Sequence, residues 1–273
     1  MKRIILFSIV LFSSTFLTGQ NTVKKNYDLD AFNVINASFV YELEVFKGDV
    51  HKLELEVPEA LKDDLNVEVS DKTLNLGVTG EWWQTAKSAL GKRYKIKARV
   101  TMPMLEGFEL SNLASLYTRD GFNPTNFWVR MTGATYAEVT IITHAANVDI
   151  TGASTLHISG LATTAKAYVS GASTLNYNQE TDRIELEVSG ASTVLMKGSS
   201  TTAGFTVSGA SQLKASEFET EEMDLRCSGA SGADVHVTGK IGVSILSASK
   251  VRIKGNPVFT RSVSRGASSI QTY

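Results

Sequence analysis

The 273-residue chain has a single cysteine, Cys227, so no disulfide can form within it. Packing and backbone hydrogen bonds must hold whatever fold it has. Proline is scarce, at four residues. Lys and Arg total 27 against 28 Asp and Glu, a formal net charge of −1, so the excess of positive charge that a nucleic-acid partner requires is missing. The four histidines, His51, His144, His157 and His236, never fall at metal-ligand spacing. No Gly-x-Ser-x-Gly elbow occurs, and no calcium-binding Gly-rich nonapeptide repeats. These absences predict a protein without enzyme activity, metal or cofactor.

The chain also lacks a hydrophobic run long enough to span a bilayer. The one apolar stretch is Ile4 to Leu17, behind Lys2 and Arg3 and ahead of Thr18-Gly19-Gln20. A positive start, a short apolar core and small residues describe a secretory signal, with cleavage expected near Gly19. The other reading is a membrane anchor, for which the run is short against the ~20 residues a span requires. Residues 1–19 are therefore assigned to a signal peptide. The mature chain is expected outside the cytoplasm: in the periplasm, on the outer-membrane surface or outside the cell.

What the sequence has in quantity is glycine, alanine and serine in register. Ser-Gly-Ala-Ser stands at 170–173, 189–192, 208–211 and 228–231. Close variants end at Thr135 and Ser154, and looser ones at Ser115, Ser249 and Ser268. Between these last residues the steps are 20, 19, 19, 19, 19, 20, 18 and 19. The flanks keep time with them. Four positions before come Met131, Ile150, Val169, Val188, Val207, Cys227 and Ile245, and two positions after come Leu156, Leu175, Val194 and Leu213. Polar residues separate the apolar ones, which is the alternation of a strand with one buried face.

Each unit reads as strand, tight corner, strand and loop, one turn of a β-helix. Helical repeats run longer, at ~33 residues or more. Glycine supplies the positive φ of the bend, alanine fits a crowded turn, and serine can hydrogen-bond along the stack. A motif that returns at every turn is structural and not a nucleophile. Cys227 fills a slot that valine occupies elsewhere and reads as a small buried hydrophobe.

Repeated Val-Ser-Gly-Ala-Ser corners behind a signal and a β-rich lead-in resemble the auto-transporter adhesin, head GIN domain family. The resemblance covers roughly Asp30 to Tyr273 and is strongest from Met131 to Ser231. It implies a right-handed, single-stranded parallel β-helix of secreted bacterial proteins and supplies no catalytic residues. The corners ending at Ser115 and Ser249 depart from the pattern by lacking glycine, and no segment suits the membrane barrel of a true auto-transporter.

Residues 20–110 lack the clean repeat but still alternate as strands, with Lys47-Gly48-Asp49 as a turn. They are expected to form an irregular β cap, or the first coils, ahead of the β-helix of residues 111–273. Within them, Trp82 and Trp83, with Tyr94 after Lys92 and Arg93, break the pattern. Adjacent tryptophans in a loop can form a sugar-stacking platform or pack over the solenoid flank. Acidic residues between Glu180 and Glu187 and between Glu217 and Asp224 could gather as a patch, but no basic residue in register completes a polysaccharide-cleaving set. The partners expected are a glycan or a cell-surface protein, and a second copy meeting the solenoid end to end. His157 and His236 are expected on outward strand positions.

Overall fold

A computed structural model describes residues 21–79 and 95–273. The signal segment and the Trp82, Trp83 and Tyr94 loop lie outside the described residues. The chain is an all-β solenoid of about nine turns with coils of ~19 residues. Its regular part is built from five long strands, β11 (Tyr136–Ile150), β12 (Thr155–Val169), β13 (Thr174–Val188), β14 (Thr193–Val207) and β15 (Gln212–Cys227), followed by β16 (Gly232–Ile245). Each pairs in parallel with the next one coil on, with register shifts within the β14–β15 and β15–β16 ladders.

That register turns one-coil alternation into continuous interior columns. Leu110, Met131, Ile150, Val169, Val188, Val207, Cys227 and Ile245 stand one above another, all buried. Each such side chain removed from water contributes roughly 1.5–3 kcal/mol. Burial sets the register, because a slip of one residue would turn every column outward.

The corners explain the repeated motif. Gly190 has φ of 74°, and the carbonyl oxygen of Gly171, one coil below, stands where a Cβ would go. Two constraints therefore select glycine: the left-handed backbone and the close approach of the next turn. Backbone bonds cross the corner stack, such as Ala191 N–H to Gly171 O at 2.7 Å and Ala210 N–H to Gly190 O at 2.8 Å. The serines are buried and reach back to the previous corner, Ser192 Oγ to Gly171 O at 3.4 Å and Ser211 Oγ to Gly190 O at 3.3 Å. These are long bonds, at the weak end of the range.

The loop expected at the far side of each coil is not there. A single strand of 14–16 residues bends through it. From β11 to β14 the pairing skips only one residue, as at His144 and Thr163, and the β14–β15 and β15–β16 ladders shift register further. Small or hydroxylated residues point inward at this second bend: Thr143, Ala162, Thr181, Ser200 and Thr220. Just before it, one interior row alternates in size. Ile141, Gly160, Gln179, Gly198 and Phe218 are successive partners. Both glycines are at positive φ, with the carbonyl oxygen of the coil before standing where a Cβ would go, so bulky and bare positions alternate. The Gln179 amide in this row is buried and has no hydrogen-bond partner among the described residues.

The corner row also begins earlier than the glycine motif shows. Ala134 N–H bonds Asn112 O at 2.7 Å and Leu113 N–H bonds Phe39 O at 2.9 Å, with Phe39 and Asn112 both at positive φ. Pairing of Tyr136 with Ser115 then places Ala114, and not Ser115, in the serine slot, one residue before the position expected from spacing. In the coil before, Tyr41 fills that slot and donates its hydroxyl to Gly77 O at 3.1 Å.

The lead-in threads these early coils out of order. β2 (Val34–Ala37) and β3 (Tyr41–Lys47) flank the Phe39 corner. β8 (Gly107–Leu110) and β9 (Ser115–Thr118) stack on them in parallel. Between β3 and β8 the chain runs outward through β4 (Lys52–Pro58) and β5 (Leu65–Ser70) and returns through β6 (Thr73–Val78) and β7 (Ile96–Met102). Lys47-Gly48-Asp49 does turn the chain, but β3 and β4 are not partners, because β7 lies between them. β1 (Thr22–Asp28), absent from the sequence reading, pairs antiparallel with β4 and closes one side of this end.

Candidate functional site

An ordered strand presents every second residue to solvent, so the solenoid carries outward rows parallel to its interior columns. One row, three residues past the corner serine, runs Tyr117, Glu138, His157 and Asn176 on successive coils. Tyr136, two residues earlier on its own coil, leans between the first and third members. Its ring centroid lies 5.4 Å from that of Tyr117 and 5.4 Å from that of His157. Asn176 Nδ2 meets His157 Nε2 at 3.3 Å, and the Arg119 guanidinium sits 5.4 Å from the Tyr117 ring centroid while pairing with Glu44 at 2.5 Å.

The result is a half-exposed aromatic ladder crossing three coils, edged by a cation, a carboxylate and an amide. At ~4.8 Å per coil step its polar limits lie roughly 14 Å apart. Partial burial, then the Glu138 carboxylate and then Tyr117, raise the Tyr136 phenol above its usual range, so it stays a neutral hydroxyl donor. Sequence reading placed His157 outward but missed the tyrosines. The available signal was aromatic residues recurring near the coil length, at 117 and 136.

Two shallow concavities lie elsewhere. One, of about 780 Å³, follows the second bend and includes Ile142, Leu161, Glu180, Asp182, Glu219 and Glu221, with no lysine or arginine in its lining. The other, of about 280 Å³, lies over Gly204, between Tyr168, Glu185, Glu187, Asp224 and Arg226. The acidic stretches thus divide between two surfaces and do not form one patch. Among the described residues no group of three or more His, Cys, Asp or Glu is placed to hold a metal ion. Cys227 is buried in its column, and desolvation pushes its thiol up to about 12, against a weaker opposing bond from Ser231. A thiol so protonated is a poor nucleophile. Trp82, Trp83 and Tyr94 are not among the described residues, but the flanking positions are: Thr79 N–H bonds Asp64 O at 2.7 Å and Ile96 N–H bonds Val40 O at 3.2 Å, at the corner edge of the rod.

The geometry defines a class, a β-solenoid that displays rows of side chains along a rigid flank. The chain belongs to the family described as "Putative auto-transporter adhesin, head GIN domain", which matches residues 31–179 and 168–257. No curated protein matches the chain. Solved structures share its fold. A "putative adhesin" from Parabacteroides distasonis has TM-score 0.70 at 14% identity, covering 93% of this chain and 98% of that one. One from Parabacteroides merdae has TM-score 0.70 at 16% identity, covering 94% and 97%. A "putative lipid binding protein" from Parabacteroides distasonis has TM-score 0.65 at 16% identity, covering 93% and 97%. Among the described residues no helix is long and apolar enough to cross a membrane.

Proposed function

We propose that the chain is an exported, non-catalytic adhesion module that binds a glycan along the Tyr117–Tyr136–His157 ladder. The carrying observation is the three stacked rings, half-open to solvent and edged by Glu138, Asn176 and Arg119. Pyranose rings have apolar C–H faces and equatorial hydroxyls. Aromatic side chains match the first and flanking carboxylate and amide groups the second. The length of the ladder suits a short run of sugar units. Membership of an adhesin family supports the binding role and a position at the cell surface. Trp82, Trp83 and Tyr94, which fall between Thr79 and Lys95 in the sequence, are proposed as a second platform. Cleavage near Gly19 releases the mature chain.

A glycan array probed with the mature chain tests this reading. Tyr136→Ala should lower binding of the responding glycan by tenfold or more. Aromatic cross-strand pairs also stabilise sheets by ~0.2–1 kcal/mol, so the melting temperature is measured beside it. Loss of binding without a comparable loss of stability supports the ladder. Undiminished binding by Tyr136→Ala removes the ladder, and undiminished binding by Trp82→Ala/Trp83→Ala removes the second platform. N-terminal sequencing of the exported protein should begin near Gln20.

A further inference from the structure

We infer that copies of this chain stack head to tail, the C-terminal end of one rod docking on the N-terminal end of the next. The C-terminal end consists of β17 (Lys250–Lys254) and β18 (Val258–Ser264), which form one coil on β16, and β19 (Ser269–Thr272), which begins the next on β17. β18 pairs only with β16 and β19 only with β17, so each offers one open backbone edge among the described residues. Interior side chains thin out here: Val263 and Ile270 are only half-buried, and Phe259 is 40% exposed. β19 is only four residues long, and β18 carries Arg261 and a register shift beside Ile241 and Gly242, devices that blunt an edge toward indiscriminate pairing.

At the other end, among the described residues, β5 pairs only with β6, and its inward residues Leu65, Val67 and Val69 are half-buried. β1 runs parallel to the coil strands on the opposite face, pairing only with β4. β1 carries Lys24 and Lys25 and lies on the face of β19, while β5 lies on the face of β18, so in a head-to-tail stack β18 meets β5 and β19 meets β1.

Charge selects the occupant. Residues 250–273 hold five cations and no carboxylate. Arg252 and Arg261 are paired to Asp234 and Asp224 of the coils beneath, while Lys250 and Arg265, both exposed, have no carboxylate partner among the described residues. Residues 49–71, in contrast, hold eight carboxylates against two lysines. Exposed Asp63 and Glu59, the latter 3.7 Å from Lys62, stand at the corner edge of the rod, the same edge on which Lys250 and Arg265 stand at the far end. Two C-terminal ends would repel, and so would two N-terminal ends. Only unlike ends bring opposite charges together, a heterologous contact that does not close on itself and so propagates.

Sedimentation velocity of the mature chain across concentration and salt reads the outcome. Expected are dimers and longer species that grow with concentration and dissolve as salt rises, because exposed charges are screened. Lys250→Glu/Arg265→Glu has two acidic ends, and Glu59→Lys/Asp63→Lys has two basic ends. Each variant alone should be monomeric, and an equimolar mixture should associate again. Circular dichroism melts confirm that both variants fold. A monomeric wild type at every concentration and salt overturns the inference, as does association that survives either charge reversal or fails to return on mixing.

Discussion

The regular coils and the lead-in solve the same packing problem with different means. From Tyr136 to Ile245 every strand has a neighbour on both sides, and one residue in each slot repeats at the coil length. From Thr22 to Met102 the same two sheet faces are built from short strands placed out of chain order, three of whose pairings are antiparallel. The coils depend on local similarity, since each turn copies the one before. The lead-in depends on particular long-range partners, such as β7 settling between β3 and β4. Where the turn is copied the corner takes glycine at every coil but that of Ser247. Where it is not, Phe39 and Asn112 take the same left-handed backbone.

Substitutions can break that contrast. The largest effect is expected from Gly190→Val, which combines left-handed strain of ~1–3 kcal/mol with a steric clash of ~1–3 kcal/mol against the coil below. Urea unfolding should show most of the sum, and a loss under ~1 kcal/mol would refute the corner geometry. Next, Leu175→Ala in a fully buried column should cost ~2–5 kcal/mol. Leu65→Ala in the half-open β5 should cost about half as much, and equal losses would show that the ends are as well covered as the middle. Gln179→Leu should stabilise the coils by ~1–3 kcal/mol, because it removes a buried amide without a partner. A lower melting temperature would show that the amide is satisfied in solution. Ser247→Gly should restore the glycine that this corner lacks, at φ 68°, and stabilise by ~0.5–1 kcal/mol. Smallest, Ser192→Ala removes two long hydrogen bonds, one donated to Gly171 O and one accepted from Ser173 N–H, both at 3.4 Å, and should cost under ~1 kcal/mol by thermal unfolding.

Legibility in the sequence follows the same division. The stack of Val169, Val188 and Val207 could be read directly, because identical neighbours leave each slot one chemical solution. Six of the lead-in strands, β2 to β7, could be read from alternation, but their partners could not, since alternation says which face is buried and not what lies beside it. β1 escaped because its pattern of Lys24, Lys25 and Asn26 resembles a solvated linker. The first corner was placed one residue late because alanine at 114 is followed by a serine that mimics the slot residue. The second bend has no signature, as threonine, alanine and serine all serve there. The aromatic ladder was hidden because Tyr136 belongs to a different row from Tyr117 and His157, and only side-chain lean brings them together.

The interior row that alternates between bulky and bare positions limits how such a rod can change length. Excising residues 174–192 would leave strand register intact, yet Gly160 would then face Gly198 across a void. Excising residues 155–192 instead seats Ile141 beside Gly198 and keeps the alternation. Such a molecule lengthens or shortens cleanly by pairs of turns, a ruler graduated in steps of roughly 10 Å.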